Sequence, residues 1–192
     1  MAASESPRPR GFRTLALIFA VCVIPFIASY LVYYLWPPQS RMNYGMLIDP
    51  RPLPVAPLER LDRSRFSLAE LRGRWVMLQV DGARCVETCR RKLYHMRQVR
   101  LAQGPEAGRV ERVWLIRDRG AVEAALLRDY EGTHFARAGS TIWSDFLAER
   151  DAADHIYLID PLGNLMLRFP QDADPNRMKK DLERLLKVSN VG

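Results

Sequence analysis

Two cysteines, Cys85 and Cys89, are separated by three residues and follow an apolar run, Trp75-Val-Met-Leu-Gln-Val80. The run predicts a buried strand, and residues 85–103 have the pattern of a helix that stops at Gly104-Pro105. The thiolate is the form of cysteine that reacts and binds metals, and a helix N-terminus stabilises negative charge. A strand, a cysteine pair and a helix in this order therefore predict redox or metal chemistry.

The spacing of the two cysteines allows both kinds of chemistry. Residues i and i+4 of a helix share one face, so two thiolates there could chelate a soft ion such as Cu(I). Four neighbouring cations favour the thiolate form, namely Arg84, Arg90, Arg91 and Lys92. The alternatives are two buried structural thiols or a structural disulfide, which a regular helical turn accommodates poorly.

The histidines are the remaining candidates for metal ligands. His155 begins a predicted strand, and with two sulfurs it would complete a three-coordinate site. The alternative is a histidine at a strand edge that points to solvent. His95 lies off the cysteine face of the predicted helix and is expected at the surface, and the loop that holds His134 gives no basis for placing it.

Residues 14–36 contain no charge and are long enough to cross a bilayer core of about 30 Å. Three arginines precede this segment, at positions 8, 10 and 13. The positive-inside rule therefore predicts a single-pass anchor in the inner (cell) membrane, with a cytoplasmic N-terminus and a periplasmic C-terminal domain. A cleaved signal peptide is the alternative. Pro37-Pro38 follows the segment in place of a small-residue cleavage site, which favours the anchor.

The chain divides by composition into four parts: a cytoplasmic tail (1–13), a transmembrane helix (14–36), a proline-rich linker (37–60) and a periplasmic domain (61–192). Hydrophobic periodicity within that domain predicts the order of its elements. They are a capped turn of helix (67–73), strands (75–80, 110–116, 155–159, 165–169) and helices (85–103, 120–130, 174–188). This order describes an α/β fold, a mixed sheet flanked by helices.

Composition limits the functional classes. The 192 residues carry a net charge of +7, which can indicate nucleic acid or a membrane surface as a partner. No basic cluster interleaved with aromatic residues and no nucleic-acid motif is present, so no nucleic-acid partner is expected. Three cysteines are too few for a disulfide scaffold, and Cys22 lies inside the apolar segment.

Two stretches, SLAELRGRWVMLQVDGARCVETC (67–89) and HIYLIDPLGNLMLRF (155–169), resemble the entry segment and the closing hairpin of the thioredoxin superfamily. The three-residue spacing, the N-terminal anchor and the hairpin together resemble the Sco/SenC family of cytochrome c oxidase assembly proteins, over residues 66–188. The resemblance implies a thioredoxin-like domain after one transmembrane helix.

Sco-like proteins bind copper through two cysteines and a histidine, and they metallate, or reduce the thiols of, the dinuclear copper site in oxidase subunit II. By position, Cys85 and Cys89 match the cysteine pair. Counted back from Tyr157, the family histidine falls on Ala152, and the nearest histidine is His155. The resemblance thus implies a Cu(I) site at Cys85, Cys89 and His155. It also implies cytochrome c oxidase subunit II, or another copper acceptor, as the partner.

Two other functions remain open at this point. A general thiol–disulfide oxidoreductase would use a more exposed Cys85 to attack and Cys89 to resolve the mixed disulfide. A non-catalytic scaffold would keep the fold and hold oxidase subunits together through its surface.

Overall fold

The computed structural model describes residues 10–35, 43–54, 56–138, 143 and 152–189. The chain forms two compact units, Met1–Met42 and Asn43–Gly192. Residues 1–9 of the predicted tail and residues 36–42 of the predicted anchor and linker lie outside the described ranges.

The described residues of the first unit, 10–35, form the helix α1 (Arg10–Leu35). Its part from Gly11 to Leu35 has a mean hydropathy of 2.6 in its most apolar window and is long enough to cross a membrane. Pro25 lies inside the helix, as membrane helices tolerate. The predicted N-terminal apolar helix is therefore confirmed by length and composition, and its orientation stays a prediction.

The second unit is built on a sheet to which the described residues contribute eight strands in the order β1-β8-β7-β4-β5-β6-β2-β3. The strands are β1 (Met46–Pro52), β2 (Leu58–Arg60), β3 (Arg65–Phe66), β4 (Trp75–Asp81), β5 (Val110–Ile116), β6 (Thr133–Ala138), β7 (Ile156–Ile159) and β8 (Asn164–Arg168). The central strands β4, β5 and β6 are parallel. The other pairs are antiparallel, so the sheet is mixed, as predicted.

The described residues of this unit form three α-helices beside the sheet: α2 (Glu87–Leu101), α3 (Ala124–Asp129) and α4 (Pro175–Val188). The Asp174 side chain caps α4 by accepting from the Asn176 N–H, which is why the amphipathic segment starts there. The predicted capped turn is a 3₁₀ helix, Leu68–Leu71, with a capping box between Ser67 and Glu70.

The side chains of β4 point alternately to the two faces of the sheet, and each face has its own core cluster. Met77 belongs to the cluster that α2 and α4 cover, together with both cysteines of the pair. Leu78 belongs to the cluster on the opposite face, with Phe66 and Trp143. Because side chains of a strand alternate, Gln79 and Asp81 lie on the same face as Met77, beneath α2.

The N-terminal part of this unit differs from the predicted linker. β1 pairs with β8 and β2 pairs with β6, so much of the segment 37–60 belongs to the sheet. Leu58 is buried in the core. Prolines are tolerated in β1 because it is an edge strand, where a missing N–H costs no ladder hydrogen bond. The prolines were therefore a poor guide to a linker here.

Candidate functional site

Cys85 and Cys89 form a disulfide with a Cα–Cα distance of 5.1 Å. Cys89 is the third residue of α2, whereas Cys85 precedes the helix and has a left-handed φ of 38°. The prediction that Cys85 lies in the helix is therefore wrong. Departure from the helical path at Cys85 lets the sulfurs of residues i and i+4 meet, because the first turn is loosened.

Both sulfur-bearing residues are buried. Cys85, predicted to be the more exposed of the two, is 3% exposed and Cys89 is 1% exposed, so the difference in exposure is small. The Cys85 N–H donates to the Gly82 carbonyl at 3.1 Å, which folds the loop back over the pair. Val86, between the cysteines, is 64% exposed. A partner thiol can reach either sulfur only if this loop moves.

Asp118 holds the loop before Cys85 in place. Its Oδ2 accepts from the Ala83 N–H at 3.1 Å, and its Oδ1 accepts from the Gly120 N–H at 2.8 Å. A Cβ at Gly82 would lie 2.6 Å from Asp118 Oδ2, so any other residue here would force the Asp118 carboxylate to shift. The loops that follow β4 and β5 are thereby joined directly beside the disulfide.

Gln79 lies on β4 directly beneath the pair and is fully buried. Its Nε2 donates to Cys89 Sγ at 3.4 Å, and its Oε1 has no hydrogen-bond partner among the described residues. Gln79 is not among the site residues predicted from the sequence. The available signal was one polar side chain inside an apolar strand, at the same parity as Met77 and six residues before Cys85.

A buried ion pair lies next to the cysteines. Lys92 Nζ is 2.7 Å from Asp81 Oδ2 and also donates to the Ala153 carbonyl. Burial raises the pKa of Asp81, and Lys92 opposes that shift. The pair joins the end of β4 to α2 and to the 3₁₀ turn Ala152–Asp154.

Three of the four cations expected to favour the thiolate are engaged by carboxylates. Arg90 pairs with Glu123 and Arg91 pairs with Asp172, each at 2.6 Å. Lys92 pairs with Asp81. Since a paired cation acts more weakly on a third group, these side chains stabilise a thiolate less than the sequence predicted.

The structure does not gather the predicted metal ligands. His155 Nδ1 lies 2.7 Å from the Phe169 carbonyl oxygen, which can only accept, so Nδ1 carries the hydrogen. The His155 ring is 6.2 Å from the ring of Tyr157, a residue of the core cluster opposite the cysteines. In this disulfide-bonded state, the described residues include no group of three His, Cys, Asp or Glu that could hold a metal ion.

His134 and His95 make no described contact with the cysteine pair. His134 Nε2 lies 3.2 Å from Glu111, and its ring stacks on Phe66 at a centroid distance of 5.4 Å. Glu111 is near the start of β5, whereas the cysteines follow the end of the parallel strand β4. This cluster therefore lies at the opposite ends of these strands from the cysteines. His95 is half-buried on α2, and burial lowers its pKa.

The family model described as a transmembrane-like, thioredoxin-like, C-terminal domain matches residues 75–189. The chain belongs to this family. The matched region begins at β4 and includes the cysteine pair, the closing hairpin and α4. No curated protein matches the chain.

Solved structures show the same thioredoxin-like fold. A SCO1/SenC family lipoprotein from Bacillus anthracis str. Ames is 16% identical with a TM-score of 0.58, covering 73% of this chain and 99% of that one. Yeast Sco1 with copper bound is 16% identical with a TM-score of 0.58, covering 72% and 96%. The thioredoxin domain of a thiol-disulfide oxidoreductase from Bacteroides vulgatus is 17% identical with a TM-score of 0.57, covering 73% and 99%. At these identities the likeness shows the fold.

Proposed function

We propose that this protein is a membrane-anchored redox protein that exchanges thiols through Cys85 and Cys89 during the assembly of a copper-containing cytochrome c oxidase. The observation that carries the proposal is the disulfide at the start of α2, above a buried hydrogen-bond donor. The structural likeness to SCO1/SenC proteins and to a thiol-disulfide oxidoreductase supports it.

The reduced protein would act on a disulfide of the acceptor. The Cys85 thiolate attacks one acceptor sulfur, the acceptor disulfide breaks, and its second sulfur leaves as a thiolate. The Cys89 thiolate then attacks Cys85 Sγ, which breaks the mixed disulfide and releases the acceptor as a dithiol. Two electrons pass to the acceptor, and the product is the Cys85–Cys89 disulfide of the present structure. A dithiol reductant must restore the starting state.

Binding of Cu(I) as cargo is a second candidate function. After reduction, two sulfurs on residues 5.1 Å apart in Cα–Cα distance supply a soft ligand pair. The structural likeness to Sco1 with copper bound favours this candidate. His155 donates Nδ1–H to the Phe169 carbonyl, so Nε2 is the nitrogen that would ligate copper if the ring reached the sulfurs. A ligand from the acceptor is the alternative third donor.

Oxidase subunit II, or another copper acceptor, is the proposed partner, and the lipid bilayer is proposed to hold α1. An N-terminus in the cytoplasm and a periplasmic redox domain are supported by the arginines that precede the apolar helix. Protease added to spheroplasts should digest the C-terminal domain if this orientation is correct. Protection of that domain until the membrane is lysed would show the opposite orientation.

The exchange reaction is testable with the full-length protein in detergent micelles and an oxidised copper-acceptor domain of subunit II. The wild type should reduce about one acceptor disulfide per molecule, and Cys89→Ser should trap a mixed disulfide through Cys85. Cys22→Ser, which removes the free cysteine of α1, serves as the matched control and should behave as the wild type.

Two outcomes would contradict parts of the proposal. Acceptor reduction by Cys85→Ser/Cys89→Ser at the wild-type rate would exclude exchange and leave the scaffold function. In a parallel competition with a Cu(I) chelator, a reduced wild type that retains no copper above the level of the double variant would exclude the cargo function.

A further inference from the structure

The Gln79 side chain is polar at a position where the fold needs only an apolar group. It is fully buried in the middle of the sheet, between Trp114 of β5 and Ile156 of β7. Met77, two residues earlier on the same face, is equally buried and apolar. A buried amide with its oxygen unpaired costs stability, so its retention calls for another reason.

Among the described residues, the Gln79 side chain has one hydrogen-bond partner, a sulfur atom whose charge changes on reduction. Nε2 lies 3.4 Å from Cys89 Sγ in the disulfide, where sulfur is a weak acceptor. When the disulfide opens and Cys89 becomes a thiolate, the same N–H makes a charge-assisted bond, which is considerably stronger. An amide neither releases nor takes up a proton at ordinary pH, so its contribution is that of a fixed donor.

The amide distinguishes the two sulfurs of the pair. The Gln79 amide donates to the Sγ of Cys89, the residue anchored within α2. The other cysteine lies on the left-handed loop before the helix. Three of the four nearby cations are engaged by carboxylates, Arg84 being the exception. Among the described residues, the buried Gln79 N–H is the side-chain donor that makes a hydrogen bond to a sulfur of this pair.

We infer that Gln79 is a positioning residue that directs negative charge to Cys89 by donating to its thiolate. A partner thiolate then attacks Cys85 Sγ, the Cys85–Cys89 bond breaks, and its electron pair goes to Cys89 Sγ, where the Gln79 N–H receives it. The second thiolate of the partner dithiol completes the exchange by displacing Cys85 as a thiolate. The partner dithiol is oxidised to a disulfide, and this chain is reduced.

The inference rests on the exchange function proposed above and specifies which sulfur leaves. It holds in both directions, because the same contact stabilises Cys89 as an attacking thiolate when the mixed disulfide is resolved. Removal of the donor should therefore make the disulfide harder to reduce. It should also raise the pH at which the Cys89 thiolate forms.

The test uses full-length protein in detergent micelles, equilibrated with oxidised and reduced glutathione. Gln79→Met keeps the length of the side chain and removes the donor, and it should shift the equilibrium about tenfold toward the disulfide, which corresponds to about 30 mV. Gln79→Glu should shift it in the same direction, more strongly at pH values where the carboxylate is ionised. Met77→Leu, the matched control on the same face, should leave the equilibrium unchanged.

A measurement on the wild type keeps the inference testable even if the variants fold poorly. The side-chain N–H signals of Gln79 in a nitrogen-15 spectrum should move when the disulfide is reduced, and they should titrate together with Cys89. Unchanged signals, or a Gln79→Met protein with the wild-type equilibrium and thiolate titration, would overturn the inference. Neither measurement involves the oxidase. A protein that fails to exchange with the acceptor but shows these shifts would disprove the proposed function and leave the role of Gln79 standing.

Discussion

The Lys92 ammonium lies 2.7 Å from the Asp81 carboxylate, and the two side chains are only 6% and 10% exposed. Asp81 is the last residue of β4, and Lys92 follows Cys89 by three positions on α2. The pair therefore fixes the helix that carries one sulfur to the strand that carries its hydrogen-bond donor. Loss of this contact should affect both stability and the site.

Removal of one partner of this pair should cost more than removal of both. Lys92→Met leaves a carboxylate buried without its cation, and such losses typically cost about 3–5 kcal/mol. The double variant Asp81→Leu/Lys92→Met should recover much of that loss because no charge remains buried. Urea unfolding of the wild type, both single variants and the double variant gives the coupling energy. Strictly additive losses would show that the two groups act independently.

Glu111 should make the folded state sensitive to acid. The hydrogen bond from His134, followed by that from Arg74, lowers the pKa of Glu111 below its ordinary 4.5. A lowered pKa means that the ionised form stabilises the fold, so this contribution is present above pH 4.5 and is lost as pH falls through the lowered value.

Urea unfolding at a series of pH values tests this contribution. Glu111→Gln should be less stable than the wild type at neutral pH, and the difference should shrink as pH falls. Glu59→Gln, at an exposed position on β2, is the matched control. A constant difference between Glu111→Gln and the wild type at all pH values would show that the loss is steric in origin.

Gly82→Ala should loosen the loop over the disulfide. The added Cβ would lie 2.6 Å from Asp118 Oδ2, so the brace between the two loops must shift. We expect a destabilisation of about 1–3 kcal/mol and faster reduction of the disulfide by a phosphine reductant, because Cys85 is buried in the wild type. Gly108→Ala, where a Cβ meets nothing within 4 Å, is the control. Equal reduction rates in all three proteins would mean that the Asp118 brace does not limit access.

Arg112 should be replaceable by an apolar residue at little cost. Its side chain is buried on β5 and donates to the Glu131 carbonyl at 2.7 Å, and its Nε and Nη1 have no hydrogen-bond partner in the described part of the chain. Burial, aided by Arg100 and Arg97, lowers its pKa to about 10. Because no carboxylate of the described residues forms an ion pair with it, and Glu111 offsets the effect of burial only in part, Arg112→Met should be neutral or stabilising by about 1–2 kcal/mol in thermal unfolding. A large loss of stability would indicate that water or an ion is bound to the Arg112 nitrogens Nε and Nη1.

The chemistry of the site was partly predictable because local sequence carries it. An apolar strand, two cysteines and a capped terminal helix are defined by residues close together in the chain, and β4, β5 and α4 formed near their predicted bounds. The disulfide depends on the backbone conformation of Cys85, which hydrophobic periodicity does not indicate. The left-handed conformation of Cys85 removes it from the predicted helix.

Contacts between distant segments could not be predicted from local pattern. Gln79 acquires its role only when α2 folds back over β4, and His155 bonds to Phe169 only when the hairpin closes. The strands β1 and β2 have proline-rich surroundings that indicate a linker, and pairing with β8 and β6 overrides that tendency. These contacts and strand pairings depend on tertiary structure, which local sequence patterns do not encode.

The two edge strands of the sheet affect whether copies of this protein aggregate at high concentration. β1 forms one edge and contains Pro50 and Pro52, which lack an N–H, and its pairing with β8 is irregular between Leu47 and Arg51. β3 forms the other edge and has only two residues. Proline, irregular pairing and a very short strand all prevent the edge-to-edge pairing that leads to aggregation. If α1 holds the protein in a membrane, as proposed, copies concentrated in two dimensions would not polymerise through the edges of their sheets.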